Sequence, residues 1–356
     1  MRRKLILLGL GAALLCLCGC GGLDKRNARM EDLALLRVLA VDGDGTEVSV
    51  SATTGETREQ SPVFLEGTDT SAARACLLAR GEGDAYPSYS HVEQILVGEE
   101  LARQGLTELL DYLERDVELR LSSRLWLIRG EARAVLTEER AEQMVERLNA
   151  LEEMAGMASN GLERTAGDVI TARDRSGYAF LPALALTEEG ELVCAGYGVL
   201  KDDTLLCWLE GDCALGVDLM MGALEDGAVD LTLEAGDRAS VRIGEAKCRV
   251  RGEFEGEKLT GLKITCRLRG TATRLPAGLE WTEETQRVLE ERTAAWAEDC
   301  IAQSAAMMQS VGADPLELCR RAGRAEPWRW DGLSGQWEKA FPMLDIHVEV
   351  TAVIQR

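Results

Sequence analysis

The stretch Lys258-Leu259-Thr260-Gly261-Leu262-Lys263-Ile264-Thr265-Cys266-Arg267-Leu268-Arg269-Gly270-Thr271-Ala272-Thr273 sends Leu262, Ile264, Cys266 and Leu268 to one side of the chain. Lys263, Thr265, Arg267 and Arg269 go to the other. A period of two is the mark of a strand with one buried and one wetted face, as in antiparallel sheet. Ala239 to Gly252 and Val229 to Leu233 show long alternating strands of the same kind just upstream. Beyond them the period changes. From Glu280 to Val311 the apolar residues Trp281, Val288, Leu289, Trp296, Cys300, Met307 and Val311 stand at helical spacings, which predicts one long helix. The chain closes on Met343 to Ile354, where Leu344, Ile346, Val348, Val350, Ala352 and Ile354 alternate with Asp345, His347, Glu349 and Thr351. That is a strand with one buried face. Sheet, long helix and final strand make this half α+β.

Towards the amino terminus the elements alternate more closely. Leu33 to Val41 and Thr46 to Ala52 read as a hairpin around Asp42-Gly43-Asp44-Gly45, and Thr68 to Arg80 as a helix opened by capping residues. Val92 to Val97 is a short strand that runs into an amphipathic helix over Glu99 to Arg115, with Leu101, Leu106, Leu109, Leu110 and Leu113 on its stripe. Arg124 to Arg129 is a strand with Leu125 and Leu127 facing away from Trp126; Thr137 to Met157 is helical; Glu163 to Ser176 is polar and Gly-containing and reads as a loop. A hairpin is expected around Lys201-Asp202-Asp203, from Glu191 to Leu209, followed by a short helix over Cys213 to Met221. No 20 to 50 residue period recurs, which excludes a solenoid. The expectation is an α+β protein of two to three subdomains, with mixed and antiparallel sheets covered by helices. It divides into a leader over residues 1–19, an α/β unit over 20–188 and an α+β unit over 189–356.

The leader is read from charge and hydropathy. Arg2, Arg3 and Lys4 precede an apolar run from Leu5 to Leu15, too short to span a bilayer, and small residues lead into Cys20. Leu17-Cys18-Gly19-Cys20 resembles the bacterial lipobox, which implies cleavage before Cys20 and a diacylglyceryl group on its sulfur. Two acyl chains anchor a globular domain stably where one would bind marginally. Cys16 and Cys18 fit less well, because Leu15 and Leu17 would occupy the small-residue position. The net charge of −21 becomes −24 once the three leader cations leave. So acidic a chain is an improbable nucleic-acid binder, and the same sign argues against direct electrostatic attachment to anionic lipid.

Catalytic or metal chemistry finds no foothold in the pattern. There is no Gly-x-Ser-x-Gly elbow, H-E-x-x-H helix or Walker loop. His91 and Glu99-Glu100 lie near one another in sequence, but adjacent helical residues diverge by about 100°, and the simpler role of the glutamates is to favour the positive end of the helix dipole. His347 falls on the polar face of the last strand. Eight cysteines remain after the leader and Cys20 are set aside, Cys76, Cys194, Cys207, Cys213, Cys248, Cys266, Cys300 and Cys319; they contain no C-x-x-C pair and read as core thiols, with disulfides left open. No metal, cofactor or catalytic residue is expected. Trp328, Trp330 and Trp337 read as packing of the tail onto the long helix, the alternative being an aromatic contact surface.

One resemblance runs through the mature chain. The run His91-Val92-Glu93-Gln94-Ile95-Leu96-Val97-Gly98-Glu99-Glu100-Leu101-Ala102-Arg103-Gln104-Gly105-Leu106, continued by Leu110 to Arg120, resembles the central signature of the Ger(x)C family of spore-germination lipoproteins. Three further segments agree in order: Ala183 to Gly222, which holds Gly190-Glu191-Leu192-Val193-Cys194-Ala195-Gly196-Tyr197-Gly198-Val199-Leu200 and Glu210; the helix from Trp281 to Asp314; and the tail from Trp328 through Trp337 and Phe341. The resemblance implies the membrane-anchored lipoprotein subunit of a nutrient germinant receptor. It would be held by fatty acyl groups such as palmitate on Cys20 at the outer face of the spore inner membrane, beside integral-membrane receptor subunits. It transfers no catalytic residue. An extracytoplasmic solute-binding lipoprotein is the alternative and a surface-anchored hydrolase a weaker one; the first calls for two similar doubly wound lobes, the second for converging titratable groups.

Overall fold

The computed structural model describes residues 33–56, 61–81, 86–157, 161–233, 236–325, 327–330 and 334–356. The leader and Cys20 lie outside them. In chain order the first unit contains β1 (Leu33–Leu35), β2 (Val38–Gly43), β3 (Val48–Thr53), β4 (Phe64–Asp69), α1 (Ala72–Ala79), β5 (Tyr86–Ser88), β6 (Gln94–Gly98), α2 (Glu99–Gln104) and α3 (Thr107–Arg115). It continues with β7 (Arg124–Ile128), α4 (Ala132–Val135), α5 (Ala141–Met154), α6 (Ala166–Ser176), β8 (Tyr178–Leu186), β9 (Leu192–Lys201) and β10 (Thr204–Leu209). The second unit holds α7 (Asp212–Met221), β11 (Gly227–Thr232), β12 (Arg238–Glu255), β13 (Lys258–Arg274), α8 (Glu283–Ser310), α9 (Leu318–Ala325), α10 (Pro327–Trp330), α11 (Trp337–Ala340) and β14 (Asp345–Gln355).

Eight strands form the first sheet in the order β10-β9-β8-β7-β6-β2-β3-β4. Its centre, β2, β6, β7 and β8, is parallel, and antiparallel hairpins flank it on both sides. Parallel strands buried on both faces need apolar side chains both ways. Accordingly Leu125 and Leu127 pack with α1, α3 and α6 on one face, while Trp126 and Ile128 pack with α4 and α5 on the other. The second sheet has the order β11-β12-β13-β14, with only β14 parallel to its neighbour. A parallel return needs a crossover, and α8 is that connection. Two edge amides of β14 are covered, since the Val350 and Ile354 N–H groups donate to Glu298 and Glu290 of α8 at 2.9 and 3.1 Å. This is the mixed α+β architecture the patterns predict.

Several expectations are corrected. The helix over Glu99 to Arg115 is broken at Gly105, whose φ of 125° only glycine adopts without strain; there the Leu106 N–H turns to the Asp203 carbonyl at 2.9 Å. The loop over 163–176 is instead α6. Thr165 and Asp168 form a reciprocal capping box at its start, and Gly177 ends it in the left-handed region at φ 73°. The polar letters there hid a short buried stripe, Ala166, Val169 and Ile170. Strand β8 went unread because it is apolar almost throughout and contains Pro182, which sits at a register shift next to β9. The hairpin over 192–209 extends the first sheet from β8 rather than joining the second one. Cys248 and Cys266 are directly paired across β12 and β13 with Cα atoms 4.1 Å apart, and they form a disulfide rather than two core thiols. Cys76 and Cys300 are buried thiols, as read.

Candidate functional site

Cys20, the residue expected to carry an acyl anchor, lies outside the described residues. The chain enters at Leu33, and β1 pairs parallel with β5, setting Leu33 beside Tyr86 at the amino-terminal end of the parallel strands. Among the described residues no helix is long and apolar enough to cross a membrane.

The opposite, carboxyl end of those strands is where open α/β sheets bind ligands. Here β2, β6 and β7 end at Gly43, Gly98 and Ile128, beside a cleft of about 590 Å³ lined by Asp42, Glu99, Glu100, Arg103, Glu131 and Arg133 among others. The acids in it are committed to the backbone and to near neighbours. Asp42 accepts from the Ala132 and Arg133 N–H groups at 2.8 and 2.7 Å, so it caps the turn of α4. Burial raises its pKa, and the two amides oppose the rise. Glu99 accepts from the Gly130 amide at 3.2 Å, the Trp208 indole N–H at 3.3 Å and the Arg103 guanidinium at 2.7 Å. These bonds outweigh its burial and hold its pKa low. The Asp42 and Glu99 carboxylates of the cleft are thus each satisfied by donors of the fold.

His91 does not join them. It lies before β6, at the far end of that strand from Glu99, exposed and 3.0 Å from the Ser90 hydroxyl. His347 sits on the open face of β14 with Nδ1 2.6 Å from Glu253. Among the described residues no three His, Cys, Asp or Glu side chains converge as metal ligands. Of the three tryptophans, Trp337 is buried, stacking on Phe341 at 5.4 Å with Trp330 tilted against it at 5.5 Å, whereas Trp328 is 76% exposed. Trp330 and Trp337 pack as the tail reading expects; Trp328 does not.

What the fold builds with care is the seam between its two sheets. The Tyr197 hydroxyl of β9 donates to Asp218 of α7 and accepts from the Leu162 amide at 3.0 Å. Arg164 lies 3.9 Å over the Phe180 ring. Asp314 accepts from the Leu318 and Cys319 amides and from the Trp337 indole N–H at 2.8, 2.9 and 3.0 Å. Arg175 at the end of α6 pairs with Glu317 at 2.9 Å, and Lys201 with Glu338. Sequence reasoning passed over Asp218 and Asp314. The available signals were a lone carboxylate inside Val217-Asp218-Leu219-Met220, and an Asp four residues before a helix.

Burial raises Asp218 from 3.8 to about 7 against the opposing bonds from Tyr197 and Gly161, and raises Asp314 to about 6 against those from Cys319, Leu318 and Trp337. Each binds its proton more tightly folded than unfolded. Stability from these two groups is therefore complete below about pH 4 and declines as pH rises through the window up to about 7. Thermal unfolding followed from pH 5 to pH 8 should show a falling midpoint, and Asp218→Asn should flatten the upper part of that fall. A variant with the wild-type slope would exclude Asp218 as its source.

The comparisons agree with this architecture. Residues 26–186 match the family model described as spore germination protein N-terminal domain, and residues 195–356 match the one described as spore germination B3/GerAC like, C-terminal. Spore germination protein B3 of Bacillus subtilis (strain 168) is 25% identical over 359 residues, covering 95% of this chain and 94% of that protein. The putative spore germination protein YfkR of the same organism is 22% identical over 277 residues, covering 75% of this chain and 71% of that protein. The crystal structure of the GerBC protein shares the fold with a TM-score of 0.62 at 18% identity, over 89% of this chain and 96% of that one. With one model on each half, in order, and a relative aligned almost end to end, the chain belongs to the Ger(x)C family of spore germination proteins.

Proposed function

We propose that the protein is the lipoprotein subunit of a nutrient germinant receptor, tethered through acylated Cys20 to the outer face of the spore inner membrane. There it acts by contact with integral-membrane subunits and not by catalysis. The observation that carries this reading is the pairing of both family models with a lipobox-like leader ahead of them. Tethering confines the domain to a thin layer above the bilayer, which raises its effective concentration against a neighbouring subunit and lets a weak interface be filled. The geometry is in keeping with a contact role. Asp42 of the carboxyl-end cleft serves as a cap, and the two units are joined by the Tyr197–Asp218 bond and the Arg175–Glu317 and Lys201–Glu338 ion pairs. The solute-binding alternative called for two similar doubly wound lobes; an eight-stranded mixed sheet beside a four-stranded one gives it no support.

The test is Cys20→Ala in the full chain, produced in a spore-former with its receptor partners. Fatty-acid labelling should be lost and the chain should leave the membrane fraction. Nutrient-triggered germination should fail and partner subunits should fall in abundance, while germination triggered without receptors continues. Normal labelling and membrane retention of the variant would overturn the anchor, and an intact nutrient response with unchanged partner levels in a deletion strain would overturn the receptor role.

A further inference from the structure

The acidic net charge hides a basic face. Between Arg238 and Arg274 there are ten basic and four acidic residues, a local +6 inside a chain whose net charge is −21. The fold places these residues on β12 and β13, and the register sorts them by side. Ile243, Val250, Ile264, Cys266 and Leu268 turn into the core shared with α8, while Lys247, Arg249, Arg251, Arg267 and Arg269 turn outwards and are exposed. Two like-charged pairs stand directly opposite one another, Lys247 with Arg267 and Arg251 with Lys263. Such pairs oppose strand pairing, so local stability gives no reason for them. Part of the charge is balanced on the face itself: Glu245 meets Lys247 and Arg269, Glu349 meets Lys263 and Glu253 meets His347. Asp230 and Asp345 are exposed on the flanking strands β11 and β14, so the basic surface is the stretch from Arg242 to Arg251 with Arg267 and Arg269 opposite. Arg242, Arg249, Arg251 and Arg267 have no ion pair with a described carboxylate.

At one border the basic surface deepens. Beyond residue 243 no described strand pairs with β12 on the β11 side, and α9 packs against β12. Arg321 of α9 donates to the carbonyls of Met220 at 2.9 Å and Cys248 at 3.4 Å, closing the free edge. A cleft of about 330 Å³ beside it is lined by Arg249, Arg251, Arg321 and Arg324. Four guanidinium groups around one opening suit an anion whose oxygens accept paired N–H donors, above all a phosphate.

We propose that the open face of this sheet is a docking surface for the anionic phosphate headgroups of the bilayer, with Arg249, Arg251, Arg267 and Arg324 as its principal contacts. The face is broad, formed by strands of 18 and 17 residues, a larger area than one bound peptide would cover. The rest of the chain carries a net negative charge, so an anionic surface favours this side over the acidic remainder. Screening over about 8 Å at physiological salt lets the nearest face dominate. Net charge therefore does not decide membrane attraction; its segregation does. The tether permits the contact, because the 12 residues between Cys20 and Leu33 reach up to about 40 Å when extended. The inference rests on the tethered-lipoprotein reading for this orientation, but not for the charge of the face.

The experiment uses the mature chain, residues 20–356, made without its leader and so without acyl groups, in flotation with vesicles of phosphatidylcholine alone or mixed with phosphatidylglycerol. Binding should be at least tenfold greater on the anionic vesicles and should fall at least tenfold between 50 and 300 mM salt. Arg249→Gln/Arg251→Gln/Arg267→Gln should lose it tenfold or more with an unchanged or raised unfolding midpoint. Arg74→Gln/Arg103→Gln/Arg133→Gln, with the same change in net charge elsewhere on the surface, should keep it. Equal loss in both triple variants, equal binding to neutral vesicles, or no binding by the unsubstituted chain at low salt would each overturn the proposal. Self-association of the chain abolished by the first triple variant without vesicle binding would assign the face to a second copy and likewise overturn it. Because no acyl group is present, failure here is distinct from failure of the anchor at Cys20.

Discussion

Gly216→Ala is expected to destabilise the protein by about 2–3 kcal/mol, although alanine is the better helix former by about 1 kcal/mol. Gly216 lies at the crossing of α7 and α8, and a β-carbon there would overlap the Cys300 carbonyl oxygen and the Ser304 hydroxyl. That hydroxyl is itself 2.6 Å from the Cys213 carbonyl and 2.9 Å from that of Cys300, so it bridges the two helices and has nowhere to retreat. The obstacle is partly backbone, and α8 is held from its other side by β14. Relief requires the helices to separate, which loosens the apolar core between the two sheets. Denaturant unfolding of Gly216→Ala should show the loss, and adding Ser304→Ala should not restore it, because the Cys300 carbonyl remains. Stability equal to or above wild type would mean the crossing is not close.

Asp314→Ala should cost about 3–5 kcal/mol, since it strips three buried donors of their only carboxylate acceptor at once. Two are the amides that open α9, and the third is the indole N–H of Trp337, so one side chain both starts a helix and pins the aromatic cluster of the tail. Asp314→Asn should fall between, because one amide oxygen can still accept while the NH₂ faces donors. Near-ultraviolet circular dichroism would report the release of Trp337 and denaturant unfolding the energy. A loss under 1 kcal/mol would show that these bonds are replaced on substitution.

Both positions illustrate how legibility depends on distance along the chain. Strands β12, β13 and β14 and the helix α8 could be read because each carries its own period over ten residues or more. The hairpin at Lys201-Asp202-Asp203 could be read because its turn demands positive φ, found at Asp202 and Asp203 as 46° and 66°, and aspartate tolerates it. Helix α6 could not, since its eleven residues bury only three apolar ones. Strand β8 could not, since burial on both faces erases the alternation that announces a strand.

The sequence by itself determined the class of the fold, the faces of its long elements and the family signature around His91 to Leu106. Periodicity states which side of an element is buried, but not what it is buried against. Only the tertiary structure decided that the hairpin over 192–209 completes the first sheet, that β14 returns parallel to β13, and that Cys248 meets Cys266. It likewise decided that Asp218 meets Tyr197 and Asp314 meets Trp337, and that Lys247, Arg249, Arg251, Arg267 and Arg269 share one open face of an acidic chain. Such pairings join residues far apart in the chain, 84 positions for Gly261 and Asp345 of β13 and β14, and they arise where closing the chain brings complementary surfaces together.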